Sequence, residues 1–349
     1  MRKLDIVIPH AGEPWEICRK FFDMLRLQLV ADFSQVKIIV VHDNCPEWPE
    51  KRLRGLPVAV EQHCVQSDHP GKNGHTGPRR AGVSVARNYG LKCSQAEWVM
   101  FCDCDDMFAN VWALHSILDG LSQPAADRND LLWMKFYVEQ DRGRRVTGMN
   151  WVFIHGKIYR REFLLRHGLR FCPGLYYAED SAFNATVSMD IDPQRIGELQ
   201  CDAVPYVWVW NRESVTSLKE NRARNILGLY DRHTVVAEEY RKRGRPRDAA
   251  ATLARVIWDG YYQCHRKDLP SEDMARIWGK VARHYLEHKD EIQTAPEELM
   301  AAIRASSQKE AAEKSLPTPP EDGFLEWLRL LEKRYGGGGN NVHSQQFHD

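Results

Sequence analysis

The sequence has no excess charge of either sign and no long apolar run. Lys plus Arg and Asp plus Glu both number 48, so the formal net charge at pH 7 is zero. A neutral chain generates no overall field that attracts nucleic acid or anionic membranes, so only local patches could bind them electrostatically. No stretch reaches the roughly 18 apolar residues that a transmembrane helix requires, and the first residues do not form a signal-peptide core.

Regular cysteine spacing is also missing. Nine cysteines, an odd number without a repeated pattern, indicate reduced thiols rather than a disulfide framework, and we therefore expect a cytoplasmic protein. Cys102 and Cys104 flank an aspartate, but no second Cys/His pair accompanies them. This argues against a zinc site at that pair.

The most informative stretch is residues 82–106, GVSVARNYGLKCSQAEWVMFCDCDD. Trp98–Cys102 is a short, unbroken apolar run, which is typical of a strand buried on both faces of a parallel sheet. Asp103, Asp105 and Asp106 follow it directly. Because three carboxylates at the end of a buried strand repel one another, the arrangement favours a bound Mn²⁺ or Mg²⁺ ion. The alternative is an acidic turn that caps the next helix.

The residues before this stretch predict a strand, an amphipathic helix and a second strand. Residues 4–9 and 36–41 are the strand-like runs, and apolar residues recur at helical spacing between them. A right-handed crossover of this kind places Pro9 and Asp43, near the two strand ends, at the same edge of the sheet. The further predicted elements are strands at 58–63, 131–138 and 204–210, and helices at 82–91 and 111–121.

Four short motifs in this order resemble a known family. They are D-I-V-I-P at 5–9, G-V-S-V-A-R-N-Y-G at 82–90, D-C-D-D at 103–106 and E-D at 179–180. Together they resemble the signatures of the family 2 glycosyltransferases, and the likeness covers about residues 1–215. It implies an α/β domain of the GT-A fold, a Rossmann-like mixed sheet that binds a nucleotide-sugar.

The resemblance implies a metal and donor site around the acidic cluster. Asp105 is the expected principal metal ligand, Asp103 contacts the ribose or the metal, and Asp106 is an additional or outer ligand. The other expected contacts of the nucleotide-sugar are Pro9, Asp43, Arg87, Lys157 and Arg212. For Arg87 the alternative is that it braces the sheet, and for Arg212 the alternative is stacking on neighbouring tryptophans.

The end of the second strand departs from the family pattern that recognises the nucleotide base. The family usually has a sequence close to D-D-x-S at the end of the second strand, and its aspartate accepts a hydrogen bond from uracil. Here Asp43 matches, whereas His42 and Cys45 replace the first and last residues. A UDP-sugar is the expected donor, but this departure leaves the base open.

The resemblance also implies an inverting reaction. As the acceptor hydroxyl attacks, it must lose its proton to a carboxylate within hydrogen-bonding reach. Asp180 is the expected general base and Glu179 is the alternative, because the sequence does not show which side chain points inward. A Glu-Asp pair without this context would simply start a helix.

The 349 residues allow one large and one smaller domain. We expect the catalytic domain at 1–217, since helix formers replace strand patterns after that point. Apolar stripes at helical spacing predict an α-helical bundle at 218–335, a candidate for acceptor binding. Residues 336–349 begin with four glycines and are expected to form a flexible tail.

One basic run lies within the helical half. Arg241, Lys242, Arg243, Arg245 and Arg247 surround a Gly-Arg-Pro sequence, which resembles an AT-hook that inserts arginines into the minor groove of duplex DNA. Pro246 disfavours helix at the residue before it, which is compatible with an extended turn. The alternative is a basic loop between two helices.

Three hypotheses for function follow. The first is a metal-dependent inverting glycosyltransferase with a glycan, lipid-linked or small-molecule acceptor. The second is the same chemistry on a hydroxymethylated base of phage-type DNA, which would have to flip out of the duplex. The third is a catalytically inactive GT-A-like binding module. The intact D-C-D-D and E-D motifs argue against this third hypothesis.

Overall fold

The computed structural model describes residues 2–66, 81–140, 143–175, 177–209, 221–317 and 319–336. The chain divides into two compact units, Met1–Gly174 with Glu179–Arg212 and Leu175–Ala178 with Glu213–Asp349. The domain boundary expected at residue 217 and residues 337–349 of the expected tail lie outside the described residues. So does Arg212.

The first unit contains eleven strands among the described residues. They are β1 (Leu4–His10), β2 (Val36–Asp43), β3 (Ala59–Val65), β4 (Trp98–Phe101), β5 (Met107–Phe108), β6 (Leu131–Trp133), β7 (Phe136–Gln140), β8 (Gly143–Thr147), β9 (Lys157–Arg160), β10 (Ile196–Glu198) and β11 (Tyr206–Trp208). Its helices are α1 (Trp15–Arg26), α2 (Glu50–Leu53), α3 (Val83–Cys93), α4 (Ala113–Ser122), α5 (Arg161–Arg166) and α6 (Glu179–Asp190).

Seven strands form a mixed sheet in the order β10-β6-β9-β4-β1-β2-β3. Strand β9 is antiparallel to both of its neighbours, whereas the other neighbouring pairs are parallel. A second sheet has the order β5-β11-β7-β8. A mixed α/β sheet of the GT-A type, followed by a helical C-terminal region, was the predicted fold, and the structure confirms it.

The central strands are buried on both faces, as their apolar sequences predict. Every residue of β1 and of β2 is buried. Alternate residues of β1 face opposite ways, so that Ile6 joins the cluster that contains Phe21 of α1, and Val7 joins the cluster that contains Ala86 of α3. Helices therefore cover both faces of the central strands, and a ligand can approach these strands at their ends.

Parallel pairing brings the carboxyl ends of three strands to one edge. In β1 and β2 the register pairs Pro9 with Val41 and His10 with His42, so Pro9 and Asp43 lie at the same edge as predicted. Strand β4 is parallel to β1 and ends just before Asp103. The antiparallel strand β9 starts at this edge with Lys157, which pairs with Trp133.

The strand predicted at 131–138 is divided in the structure. Its first part is β6 of the large sheet and its second part is β7 of the small sheet. The chain leaves the first sheet at Met134, whose amide donates to the carbonyl oxygen of Gly156. Gly156 has φ of +68°, and a Cβ there would lie 2.7 Å from the Met134 carbonyl oxygen. An unbroken apolar run cannot reveal this change of partner.

The second unit is helical in the part that the structure describes. Its helices are α7 (Arg222–Lys242), α8 (Pro246–Cys264), α9 (Ser271–Ile292), α10 (Glu297–Glu313) and α11 (Gly323–Tyr335). Its core combines aliphatic and aromatic residues, and Trp258 and Phe324 stack with ring centroids 3.6 Å apart. Among the described residues, no helix combines the length and the apolar character that crossing a bilayer demands.

Candidate active site

Arg87 lies at the centre of the candidate site. It is on α3, and its side chain is only 2% exposed. One terminal nitrogen donates to Asp103 Oδ1 at 2.8 Å, and the other donates to Glu179 Oε1 at 3.0 Å and to Asp180 Oδ1 at 2.5 Å. A buried guanidinium is stable only when it is paired. The two acidic motifs predicted from the sequence therefore meet on one cation.

The neighbouring carboxylates stabilise the positive charge of Arg87. Burial by itself would lower the pKa of the guanidinium, but the carboxylates of Asp180, Asp103 and Glu179 outweigh burial and raise that pKa above its ordinary value. Arg87 is therefore a permanent cation that orients three carboxylates. Direct contact of Arg87 with the nucleotide-sugar stays a prediction.

Asp180 is held in the first turn of α6. Its second carboxylate oxygen accepts a hydrogen bond from the Ile154 amide at 3.2 Å, and its side chain keeps 18% exposure. Burial raises the pKa of Asp180 to about 7; the charge of Arg87 opposes the rise, and those of Glu179 and Asp103 add to it. A carboxylate with a pKa near neutrality can accept a proton from an acceptor hydroxyl.

The three aspartates of the acidic cluster have different environments. Asp103 is 30% exposed, whereas Asp106 is fully buried, and Asp105 is partly exposed at the turn. Asp106 accepts hydrogen bonds from the Tyr206 hydroxyl and from the Val209 amide. Burial, with the charges of Asp103 and Asp105, raises the pKa of Asp106 well above its usual range. Asp106 is thus anchored in the protein rather than open to solvent.

His155 completes this cluster and was not among the residues predicted from the sequence. Its Nε2 lies 3.7 Å from Asp103 Oδ2, and its Nδ1 lies 3.4 Å from Asp106 Oδ2. The imidazole stacks on the rings of Tyr206 and Trp208, each with centroids 5.8 Å away. Burial lowers the pKa of His155, which keeps the ring in the neutral form that binds metal ions.

The ligand atoms of Asp103, Asp106 and His155 all lie within 4.8 Å of one another. Two carboxylates and a neutral imidazole form a donor set that suits Mn²⁺ and fits a divalent ion whose remaining ligands are water and phosphate. The predicted principal ligand, Asp105, is not part of this converging set. His155 could not have been recognised from spacing, because only the packing of β11 and the segment before β9 brings its ring to Asp103.

The residues expected to contact the nucleotide-sugar are held by the protein itself. The two carboxylate oxygens of Asp43 accept hydrogen bonds from the backbone amides of Ala81, at 2.6 Å, and Gly82, at 2.8 Å. Asp43 therefore anchors the start of α3. Lys157 is 1% exposed and donates to the Phe153 carbonyl oxygen. Burial lowers the pKa of Lys157 to about 8. Direct contact of these two residues with a donor stays a prediction, as does that of Pro9.

The basic run lies at the junction of α7 and α8. Arg241 and Lys242 end α7, a turn follows in which Gly244 has φ of +69°, and Arg247 is in the first turn of α8. The ion pairs join Arg241 to Glu291, Lys242 and Arg243 to Glu239, and Arg245 to Asp248. The run is therefore a tight turn between two helices in which four of the five cations are paired, not the extended strand that reading a minor groove requires. Contact of this run with DNA stays a prediction.

Comparison with known proteins agrees with this geometry. The family described as Glycosyl transferase family 2 matches residues 5–176. No curated protein matches the chain.

Among solved structures, S. aureus TarS 1-349 in complex with UDP has a similar fold, with a TM-score of 0.57 and 18% identity over 96% of this chain and 91% of that one. Its complex with UDP-GlcNAc gives a TM-score of 0.54 at 18% identity with the same coverage. Against the longer S. aureus TarS structure the TM-score is 0.51 at 18% identity, and the match spans 95% of this chain but 55% of that one.

The motif order, the mixed sheet and the meeting of both acidic motifs on Arg87 lead to one assignment. Over residues 5–176 the chain belongs to glycosyl transferase family 2, and it is a glycosyltransferase with a GT-A-like catalytic domain.

Proposed function

We propose that the protein transfers a sugar from a UDP-sugar to an acceptor hydroxyl, with inversion at the anomeric carbon and with the help of a divalent ion. The observation that carries this proposal is the Arg87 guanidinium, which joins Asp103 of the metal motif to Asp180 of the base motif. Donor and acceptor chemistry therefore share one site. UDP-GlcNAc is the first donor to test, because TarS, with a similar fold, was solved with it.

Asp103, Asp106 and His155 would hold the ion, and Asp105 is a further candidate ligand at the same turn. When bound, Mn²⁺ or Mg²⁺ would neutralise the negative charge that gathers on the leaving diphosphate. Arg87 keeps Asp103 ionised and aimed at this position. The pairing with Arg87 also limits the repulsion among the carboxylates.

Asp180 is the proposed general base. With a pKa of about 7, it is partly ionised at neutral pH and can take the proton of the attacking hydroxyl. Its hydrogen bonds to Arg87 and to the Ile154 amide fix the direction of the carboxylate. Glu179 shares the same guanidinium nitrogen and is the alternative base.

The acceptor is proposed to be a glycan, a lipid-linked sugar or a small molecule. Four of the five cations of the basic run, Arg241, Lys242, Arg243 and Arg245, are paired with carboxylates within the helical unit, which gives the DNA acceptor little support. An inactive binding module is disfavoured because a base with a pKa near 7 is retained beside the metal motif.

The test is a panel of nucleotide-sugars, with thermal unfolding measured in Mn²⁺ and again in excess EDTA. A cognate donor at about 100 times its Kd should add roughly 2.7 kcal/mol to the free energy of unfolding. We expect one uridine-containing donor to stabilise the protein in Mn²⁺ and to lose most of this effect in EDTA. A panel in which no nucleotide-sugar shifts the transition would contradict the proposal.

A further inference from the structure

A second group of ligating side chains lies at the ends of β1 and β2, apart from the residues that Arg87 joins. His10 Nδ1 is 2.8 Å from His42 Nδ1, and Cys45 Sγ is 3.3 Å from His10 Nδ1. The two histidines face one another because they are register partners in neighbouring parallel strands. Both are buried, whereas Cys45 is partly exposed. The ligand atoms of all three lie within 4.8 Å of one another.

The proton on the His42 ring can be located from its neighbours. The Trp48 amide donates to Gln62 Oε1 at 2.9 Å, and Gln62 Nε2 donates to the Trp48 carbonyl oxygen at 3.0 Å. These two backbone contacts determine which end of the Gln62 amide is oxygen. That oxygen lies 3.0 Å from His42 Nε2. Nε2 must therefore carry a proton, and the Nδ1 lone pair of His42 points at His10.

The same argument holds for His10. Its Nε2 lies 3.1 Å from the Glu13 carbonyl oxygen and 3.8 Å from Glu13 Oε2, and both of these atoms only accept. Nε2 therefore carries a proton here too. Two Nδ1 lone pairs are left facing each other at hydrogen-bonding distance, which is repulsive unless a positive species lies between them. That species is either one additional proton or a metal ion.

We propose that His10 Nδ1, His42 Nδ1 and Cys45 Sγ bind a transition metal ion of the zinc class. Metal-bound histidines characteristically donate their other ring N–H to a carbonyl or carboxylate oxygen, as both rings do here. Imidazole and thiolate ligands select zinc, whereas the carboxylate-rich site at Asp103 suits the hard ions Mn²⁺ and Mg²⁺.

The distances require little movement to accommodate the ion. Tetrahedral zinc, with Zn–N of about 2.0 Å and Zn–S of about 2.3 Å, needs roughly 3.4 Å between nitrogens and 3.6 Å between nitrogen and sulfur. The two Nδ1 atoms, now 2.8 Å apart, would separate by about 0.6 Å, and His10 Nδ1 and Cys45 Sγ, now 3.3 Å apart, by about 0.3 Å. The Cys45 thiol loses its proton on binding, and the fourth position is left for solvent on the side where Cys45 is partly exposed.

Such an ion would tie together the ends of the two strands that carry Pro9 and Asp43. The ion would also account for the departure from the family's D-D-x-S sequence, in which His42 and Cys45 replace an aspartate and a serine. Imidazole and thiolate bind a zinc-class ion more strongly than aspartate and serine do. The site is independent of the proposed transfer reaction, and its test requires no activity.

The test uses Co²⁺ as a spectroscopic probe on the full chain after chelator treatment. Thiolate ligation produces a sulfur-to-cobalt charge-transfer band that carboxylate and imidazole ligation at Asp103 cannot produce. We expect this band to saturate at one equivalent and to be abolished by Zn²⁺. In Cys45→Ser the band should disappear, and the affinity for Zn²⁺ should fall at least about tenfold.

The matched control is Cys64→Ser, because Cys64 is an exposed thiol on β3 whose Sγ lies 3.8 Å from the Cys45 carbonyl oxygen. This variant should keep the band. Thermal unfolding of both variants without metal checks that they fold alike, which is expected because neither side chain is fully buried. Absence of a charge-transfer band would overturn the proposal in favour of an additional proton shared by the two rings. A band that survives Cys45→Ser would overturn it by assigning the thiolate ligand to another cysteine.

Discussion

Asp103 and Asp180 accept hydrogen bonds from the two terminal nitrogens of one guanidinium group, that of Arg87. The first follows β4 and the second is in the opening turn of α6, so the contact joins two distant parts of the chain. Because a guanidinium group is small and rigid, the two carboxylates are kept within a few ångströms of each other. This relationship supports predictions about catalysis, pH dependence and stability.

The first prediction concerns the general base. Replacing Asp180 by Asn keeps the shape of the side chain but removes its capacity to accept the acceptor proton. Transfer should fall about 10²- to 10⁴-fold, whereas donor affinity, measured by calorimetry, should change little. Glu179→Gln is the matched control and should retain most of the activity. If Glu179→Gln is the variant that loses transfer, the two roles are exchanged.

The pH dependence follows from the pKa of Asp180, which is raised to about 7. As the proposed base, Asp180 can accept a proton only when it is ionised, so kcat/KM should fall as the pH drops below about 7 and level off above it. Since the charge of Glu179 helps to raise this pKa, Glu179→Gln should move the acid limb to lower pH. A profile that is flat between pH 5 and 8 would exclude Asp180 as the titrating base.

A third prediction concerns the stability that Arg87 provides. Arg87→Met removes the guanidinium that pairs with both Glu179 and Asp180 and leaves the carboxylates close together. The free energy of unfolding should fall by about 3–5 kcal/mol, as for other broken buried pairs. Urea unfolding at pH 7 measures this change.

The loss in Arg87→Met should become smaller at low pH, because protonated carboxyls no longer repel one another. Arg87→Lys provides the comparison, since it keeps the charge but cannot bridge in two directions; it should be destabilised less than Arg87→Met. A change of less than about 1 kcal/mol in Arg87→Met would show that the carboxylates are stabilised by other groups.

The fourth prediction tests His155 as a metal ligand. His155→Ala should weaken Mn²⁺ binding at least about tenfold, a loss that can be followed by titration of the electron paramagnetic resonance signal of free Mn²⁺. His167→Ala is the control, because its side chain is exposed and lies outside the cluster. Unchanged Mn²⁺ affinity in His155→Ala would assign the ion to the aspartates alone.

The fifth prediction concerns the basic run. Arg243 is paired with Glu239, and Arg245 is paired with Asp248. We therefore expect the Arg243→Ala/Arg245→Ala variant to have the same affinity for duplex DNA as the unaltered protein. Fluorescence anisotropy at two salt concentrations measures both affinities. A steep loss of affinity with salt that disappears in the variant would instead restore the DNA acceptor.

Local sequence patterns predicted a large part of this protein. The apolar runs at residues 4–9, 36–41 and 98–102 became buried strands because burial on both faces of a parallel sheet requires continuous apolar sequence. The order of strand, helix and strand then placed Pro9 and Asp43 at one edge, since crossovers between parallel strands have one hand. The motifs were sufficient to predict the family and the fold.

The tertiary structure decided which side chains meet. Nothing in the spacing of Arg87 indicates that it joins Asp103 to Asp180, and nothing in the sequence around His155 indicates its approach to Asp106.

The same holds for the two ring nitrogens that face each other at His10 and His42, and for the paired cations of the basic run. Periodicity along a chain determines which face of an element is buried, because burial is a property of each segment. Contacts between side chains from distant segments depend on how the packed elements are positioned in three dimensions, and no single segment encodes that arrangement.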